Sequence, residues 1–100
     1  MKKLKNGWVE GSVQDFVDLS DADVEYVETH RALARRLRAE RKRKRLTQTQ
    51  LAAALKTSQS RVAKMENGDA SVSVDLLLHA LFKLGLKRKE LMEAVAGDAA

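Results

Sequence analysis

The sequence predicts an all-α protein of five helices. Three observations point there: apolar residues recur at three- and four-residue spacings, cap-forming Ser or Thr residues precede those runs, and glycines follow them. The chain has 100 residues, no Pro, no Cys and 44% hydrophobic residues, enough for one domain with a modest core. Lack of cysteine excludes disulfides and thiolate metal sites. No apolar run approaches the roughly 18 residues of a membrane span. Residues 1–5 lead into Gly7, Trp8 and acidic residues instead of an apolar signal core, so a cytoplasmic location is expected.

Residues 1–20 read as an N-terminal arm and residues 21–97 as the helical domain. Trp8, Val9 and Val13, with Gly7 and Gly11, suit a short strand or an ordered arm, with Trp8 as a packing anchor. Ser20 with Asp23 three positions on resembles a helix N-cap, and no Gly or Pro interrupts the chain from there to Arg45. One long helix, or two nearly collinear ones, follows. Its buried stripe is expected to run Val24, Val27, Ala34, Leu37 with Leu33 beside it, leaving Arg35, Arg36, Arg38 and Lys42 outside. The basic run from Arg41 to Arg45 then sits at a helix C-terminus, where cations complement the dipole.

Thr47 is the next N-cap, opening a short helix from Gln48 to Leu55 with Leu51 and Leu55 facing inward. Thr57 and Ser58 cap a third helix that stops at Asn67 and Gly68. Ser73 caps a fourth, ending at Gly85, with Leu77, Ala80, Leu81 and Leu84 on its core face. A fifth, from Lys87 to Ala96, buries Leu91 and Val95 and ends at Gly97. Once these faces are assigned, Leu78, Phe82, Leu86 and Met92 remain for a seam between two copies, although Phe82 could equally complete a monomer core.

Charge is distributed unevenly. Residues 31–64 carry twelve basic side chains and one acidic, whereas residues 1–30 carry three basic and seven acidic. The middle third is therefore a surface for a polyanion, and nucleic acid fits better than a merely solvated helix face. His30 and His79 fall on different helices with no Cys nearby, which suits packing or surface roles and no metal site. No glycine-rich phosphate loop, nucleophile elbow or catalytic dyad is present, so neither an enzyme nor a cofactor is expected.

Residues 46–68 place two short helices and a tight turn directly after the basic helix. Leu46-Thr47-Gln48-Thr49-Gln50-Leu51-Ala52, followed by Thr57-Ser58-Gln59-Ser60-Arg61-Val62-Ala63-Lys64-Met65-Glu66-Asn67-Gly68, resembles the Cro/C1-type (XRE) helix-turn-helix family. The resemblance runs from Leu46 through Leu84 and implies a lambda-repressor-like domain that binds double-stranded operators as a homodimer. Gln59, Ser60, Arg61 and Lys64 project from the first two turns of the second helix, where base edges are read. By similarity to the family, Gln59, Ser60 and Lys64 read bases, while Gln48 and Asn67 hold phosphate. Arg61 reaches either a base or a phosphate, and Thr47, Ser58, Lys42 and Arg45 are further phosphate candidates. The alternative for Gln59 and Ser60 is plain helix-start chemistry.

The resemblance also implies an ion pair between Arg41 and Glu66, against the alternative of a solvated arginine. One position departs from the pattern: the turn usually carries Gly where this chain has Lys56, so either the turn is strained or its geometry differs. DNA binding leaves the acidic N-terminal stretch without a use. The chain as a whole, including Asp15-Phe16-Val17-Asp18-Leu19-Ser20 and Val74-Asp75-Leu76, resembles antitoxins of the HigA type. That implies a basic, RelE-like mRNA-cleaving toxin as partner, contacted through Asp15, Asp18, Asp21 and Glu25. The competing readings are a stand-alone dimeric repressor, in which the acidic stretch serves solubility and the helix dipole, and an RNA-binding or scaffolding helical protein.

Overall fold

The computed structural model describes residues 20–98, and the arm expected before them, with Asp15 and Asp18, lies outside the described residues. Five helices follow one another: α1 Asp21–Arg43, α2 Gln48–Leu55, α3 Gln59–Glu66, α4 Val74–Lys83 and α5 Arg88–Asp98. The all-α class and helix count agree with the sequence.

Each of the first four helices starts at a hydroxyl cap. Ser20 Oγ accepts the Asp23 amide at 3.1 Å while the Asp23 carboxylate accepts the Ser20 hydroxyl at 3.0 Å. Thr47 caps α2 in the same reciprocal manner, and Ser58 and Ser73 cap α3 and α4 by accepting the Arg61 and Leu76 amides. The same helices also end alike. The amide two residues past the last full turn reaches back in the Leu46 to Arg41, Thr57 to Ala52, Asp69 to Lys64 and Leu86 to Leu81 bonds, a Schellman closure that requires one left-handed residue. Gly68 and Gly85 supply it at φ 69° and 100°, but Arg45 and Lys56 adopt φ 60° and 58°. Lys56 therefore keeps the turn geometry usual for Gly and bears the strain. The left-handed Arg45 ends α1 two residues earlier than the uninterrupted sequence suggests.

α1 packs against α3, α4 and α5, and α2 packs against α3. The interior is Leu33, Leu37, Leu51, Val62, Met65, Val72, Leu77, Leu81 and Leu91. The α1 stripe differs from expectation, since Val24 and Val27 are 43% and 38% exposed and burial begins at His30. Steps of three and seven residues from Val24 to Leu37 drift around a helix of 3.6 residues per turn, leaving Val24 about 140° from Leu37. The true inward line is His30, Leu33, Leu37 and Glu40. Leu86 is buried in the core and so is not free for a seam, whereas Leu78 is half-buried and Phe82 and Met92 stay exposed. Leu55, Leu84 and Val95 are only partly buried. Gly97 lies within α5 instead of ending it.

Candidate nucleic-acid interface

α2 and α3 are held by their caps and a small contact. Ala52, 3% exposed, lets α3 approach closely, and Leu51 meets Val62 and Met65 in the shared core. α3 buries Val62, Met65 and Glu66. Gln59, Ser60, Arg61 and Lys64 are left exposed on its other faces, so these four expected base contacts share one short helix at the surface. At its start Ser58 Oγ accepts the Arg61 amide at 3.2 Å and lies 3.2 Å from Ser60 Oγ.

Thr47 stands in front of α2 in a reciprocal pair with Gln50: its Oγ1 accepts the Gln50 amide at 3.0 Å, and Gln50 Oε1 accepts the Thr47 amide at 2.8 Å. Its hydroxyl keeps its own proton, a donor suited to a phosphate oxygen. Gln48 and Gln59, the first residues of α2 and α3, are joined directly, Gln59 Nε2 donating to Gln48 Oε1 at 2.7 Å. Asn67 is exposed as the C-cap of α3, and Lys42 and Arg45 are exposed at the end of α1.

Behind this surface sits an ionic junction. Arg41 Nε donates to Glu66 Oε2 at 2.6 Å, its Nη2 to Oε1 at 3.0 Å and its Nη1 to the Leu46 carbonyl at 2.8 Å. One guanidinium thereby ties α1 to the loop before α2 and to the end of α3. The hydrogen bond to Glu66 raises the Arg41 pKa further above its ordinary value, against the opposing effect of burial. Gln48 Nε2 donates to Glu66 Oε1 at 3.1 Å, so half-buried Gln48 joins exposed Gln59 to the Arg41–Glu66 pair in one network.

Sequence reasoning missed a second buried carboxylate. Glu40 accepts from Arg36 Nε at 3.0 Å and from Arg43 at 2.7 Å, which withdraws two arginines of the basic helix into local pairs. Burial opposes ionisation of Glu40, but the Arg43 hydrogen bond and the Arg36 charge outweigh it and hold the carboxyl below its ordinary range. The signal was present, since Glu40 stands four residues after Arg36 and three before Arg43. His30 is buried, its Nε2 2.6 Å from the Val72 carbonyl, and so fastens α1 to the loop before α4. Nothing in the local pattern around Val72 announces that contact.

Among the described residues, no group of three or more His, Cys, Asp or Glu could hold a metal ion. No described helix is long and apolar enough to cross a membrane. A family model described as a helix-turn-helix domain matches residues 32–94, a span that includes both short helices and the junction behind them. No curated protein and no solved structure gave a significant match.

Proposed function

The chain belongs to the helix-turn-helix domain family, whose members are DNA-binding regulators, and from that premise we propose that it binds a double-stranded operator sequence-specifically, as a homodimer. Gln59, Ser60, Arg61 and Lys64 read base edges, and Thr47, Gln48, Ser58, Asn67, Lys42 and Arg45 hold phosphates. The observation that carries this reading is the 2.7 Å bond between Gln59 and Gln48. It sets a base-reading side chain and a phosphate-binding side chain in one register before DNA arrives, lowering the ordering cost of binding. A homodimer doubles the few base pairs one helix can read, and its proposed seam is exposed Phe82 and Met92 with half-buried Leu78.

The finer reading is an autoregulating antitoxin of the HigA type that neutralises a basic, RelE-like mRNA-cleaving toxin. Its support is the start of α1, where Asp21, Asp23, Glu25 and Glu28 are exposed beside Val24, Tyr26 and Val27 with no basic residue among them. Such a surface repels phosphate and complements a basic protein. Asp21 and Glu25 are the proposed toxin contacts there, and Asp15 and Asp18, which lie outside the described residues, are further contacts proposed from the sequence.

Duplex binding across a salt series tests the DNA assignment. The double variant Gln59→Ala plus Lys64→Ala is expected to lose sequence preference while keeping its helical circular dichroism and a salt-dependent, non-specific affinity. Unchanged specific binding would mean that α3 is not the reading helix. The toxin assignment is tested by expressing the adjacent open reading frame with and without this chain. Growth arrest relieved by the chain supports an antitoxin, whereas a harmless neighbour leaves a dimeric repressor.

A further inference from the structure

The hydrogen bonds running inward from Gln59 have a direction, and it is set at their buried end. Both Glu66 oxygens face N–H groups of Arg41, Oε2 at 2.6 Å and Oε1 at 3.0 Å. A guanidinium has no acceptor, so each of these oxygens only accepts. Gln48 meets Oε1 at 3.1 Å and must offer Nε2, because its own oxygen there would face another oxygen. Gln48 Oε1 is thereby turned toward α3, where it accepts from Gln59 Nε2 at 2.7 Å. Gln59 is left with its oxygen and its second N–H for a ligand.

We propose that Glu66 sets which base pair Gln59 reads, by fixing the direction of the Gln48–Gln59 amide pair from a buried position that touches no DNA. An oxygen beside an N–H matches adenine, which offers N6–H and N7 in the major groove. With the amides reversed, Gln48 would occupy the Gln59 oxygen and leave N–H groups facing outward, the complement of guanine O6 and N7. Glu66 is then a positioning residue for specificity. The inference rests on the reading of Gln59 as a base contact.

The variant Glu66→Gln reverses the polarity at one oxygen, replacing it with NH2 at nearly constant shape, and also removes the charge that pairs Arg41. The new nitrogen avoids the shorter 2.6 Å contact with Arg41 Nε and takes the place of Oε1, giving up the 3.0 Å bond from Arg41 Nη2. There it donates to Gln48, whose amide turns over, and Gln59 turns over in response. Gln48→Met cuts the chain of amides while leaving the Arg41–Glu66 pair intact. It therefore serves even where Glu66→Gln does not fold.

The experiment is selection of duplexes from a randomised library by the full chain and by Gln59→Ala, Gln48→Met and Glu66→Gln, with thermal melts of each protein. The wild-type chain is expected to select A·T at one base pair, identified as the one that Gln59→Ala relaxes. Glu66→Gln should move that pair to G·C, changing the adenine-to-guanine ratio by about tenfold or more, with the other positions unmoved. Gln48→Met should flatten preference at that pair alone, alongside any uniform loss of affinity. A wild-type preference for G·C at that pair overturns the proposal. So does a folded Glu66→Gln or Gln48→Met chain that keeps the wild-type preference, or one that weakens every position equally. A wild-type chain that selects no sequence sinks the DNA reading as well, whereas selection unmoved by the variants sinks this inference only.

Discussion

Two buried carboxylates, Glu40 and Glu66, are each paired with arginine, yet they do different work. The Glu66 side chain is 2% exposed and its partner Arg41 only 11%, and the two lie 25 residues apart, on α3 and α1. Glu40 is 4% exposed, but its partners Arg36 and Arg43 are 34% and 67% exposed and stand within one turn of it on the same helix. The difference lies in what remains when the carboxylate is removed. Arg41 would be left as an unpaired cation inside the junction, whereas Arg36 and Arg43 can turn to water.

The largest effect is therefore expected at Glu66. Glu66→Ala should lower stability by about 3–5 kcal/mol in denaturant melts, and a loss below about 1 kcal/mol would mean that Arg41 finds water or another acceptor. Glu40→Gln should cost about 1 kcal/mol at neutral pH, because its arginine partners reach water and their charge is screened there. That difference should also depend on pH. The Glu40 carboxyl is held below its ordinary value of 4.5, so its contribution is present above that value and lost as pH falls through the lowered one. Melts of wild type and Glu40→Gln should converge in acid; a gap that persists unchanged would point to packing instead of charge.

An effect of opposite sign is expected in the turn between α2 and α3. Lys56→Gly should stabilise by about 1 kcal/mol, since the residue sits at φ 58° and ψ 48°. This strain is local and the Arg41–Glu66 pair is not, so the gain should add to the Glu66→Ala loss within about 0.5 kcal/mol. Clear non-additivity would show that the junction and the turn act as one unit.

Much of the frame was legible because its causes are local. Ser20, Thr47, Ser58 and Ser73 cap helices through side chains that reach only three residues onward, and Gly68 and Gly85 close helices through their own φ. The exposure of the proposed reading surface was legible for a similar reason. Gln59, Ser60, Arg61 and Lys64 occupy the faces that remain once Val62 and Met65 turn inward. The bond between Gln48 and Gln59 was not, because eleven residues and a turn separate the two amides. Val24 and Val27 misled because an apolar residue on a helix is buried only where another element covers it.

The sequence by itself determined the helices, their starts, most of their stops and the concentration of positive charge between residues 31 and 64. These follow from interactions within a few residues and from composition. The tertiary structure alone decided that, among the described residues, the buried positions of α1 begin at His30, that Leu86 belongs to the core, and that Glu66 meets Gln48 as well as Arg41. Burial and the pairing of buried charge depend on which helix covers which face, and that is settled only when all five pack together.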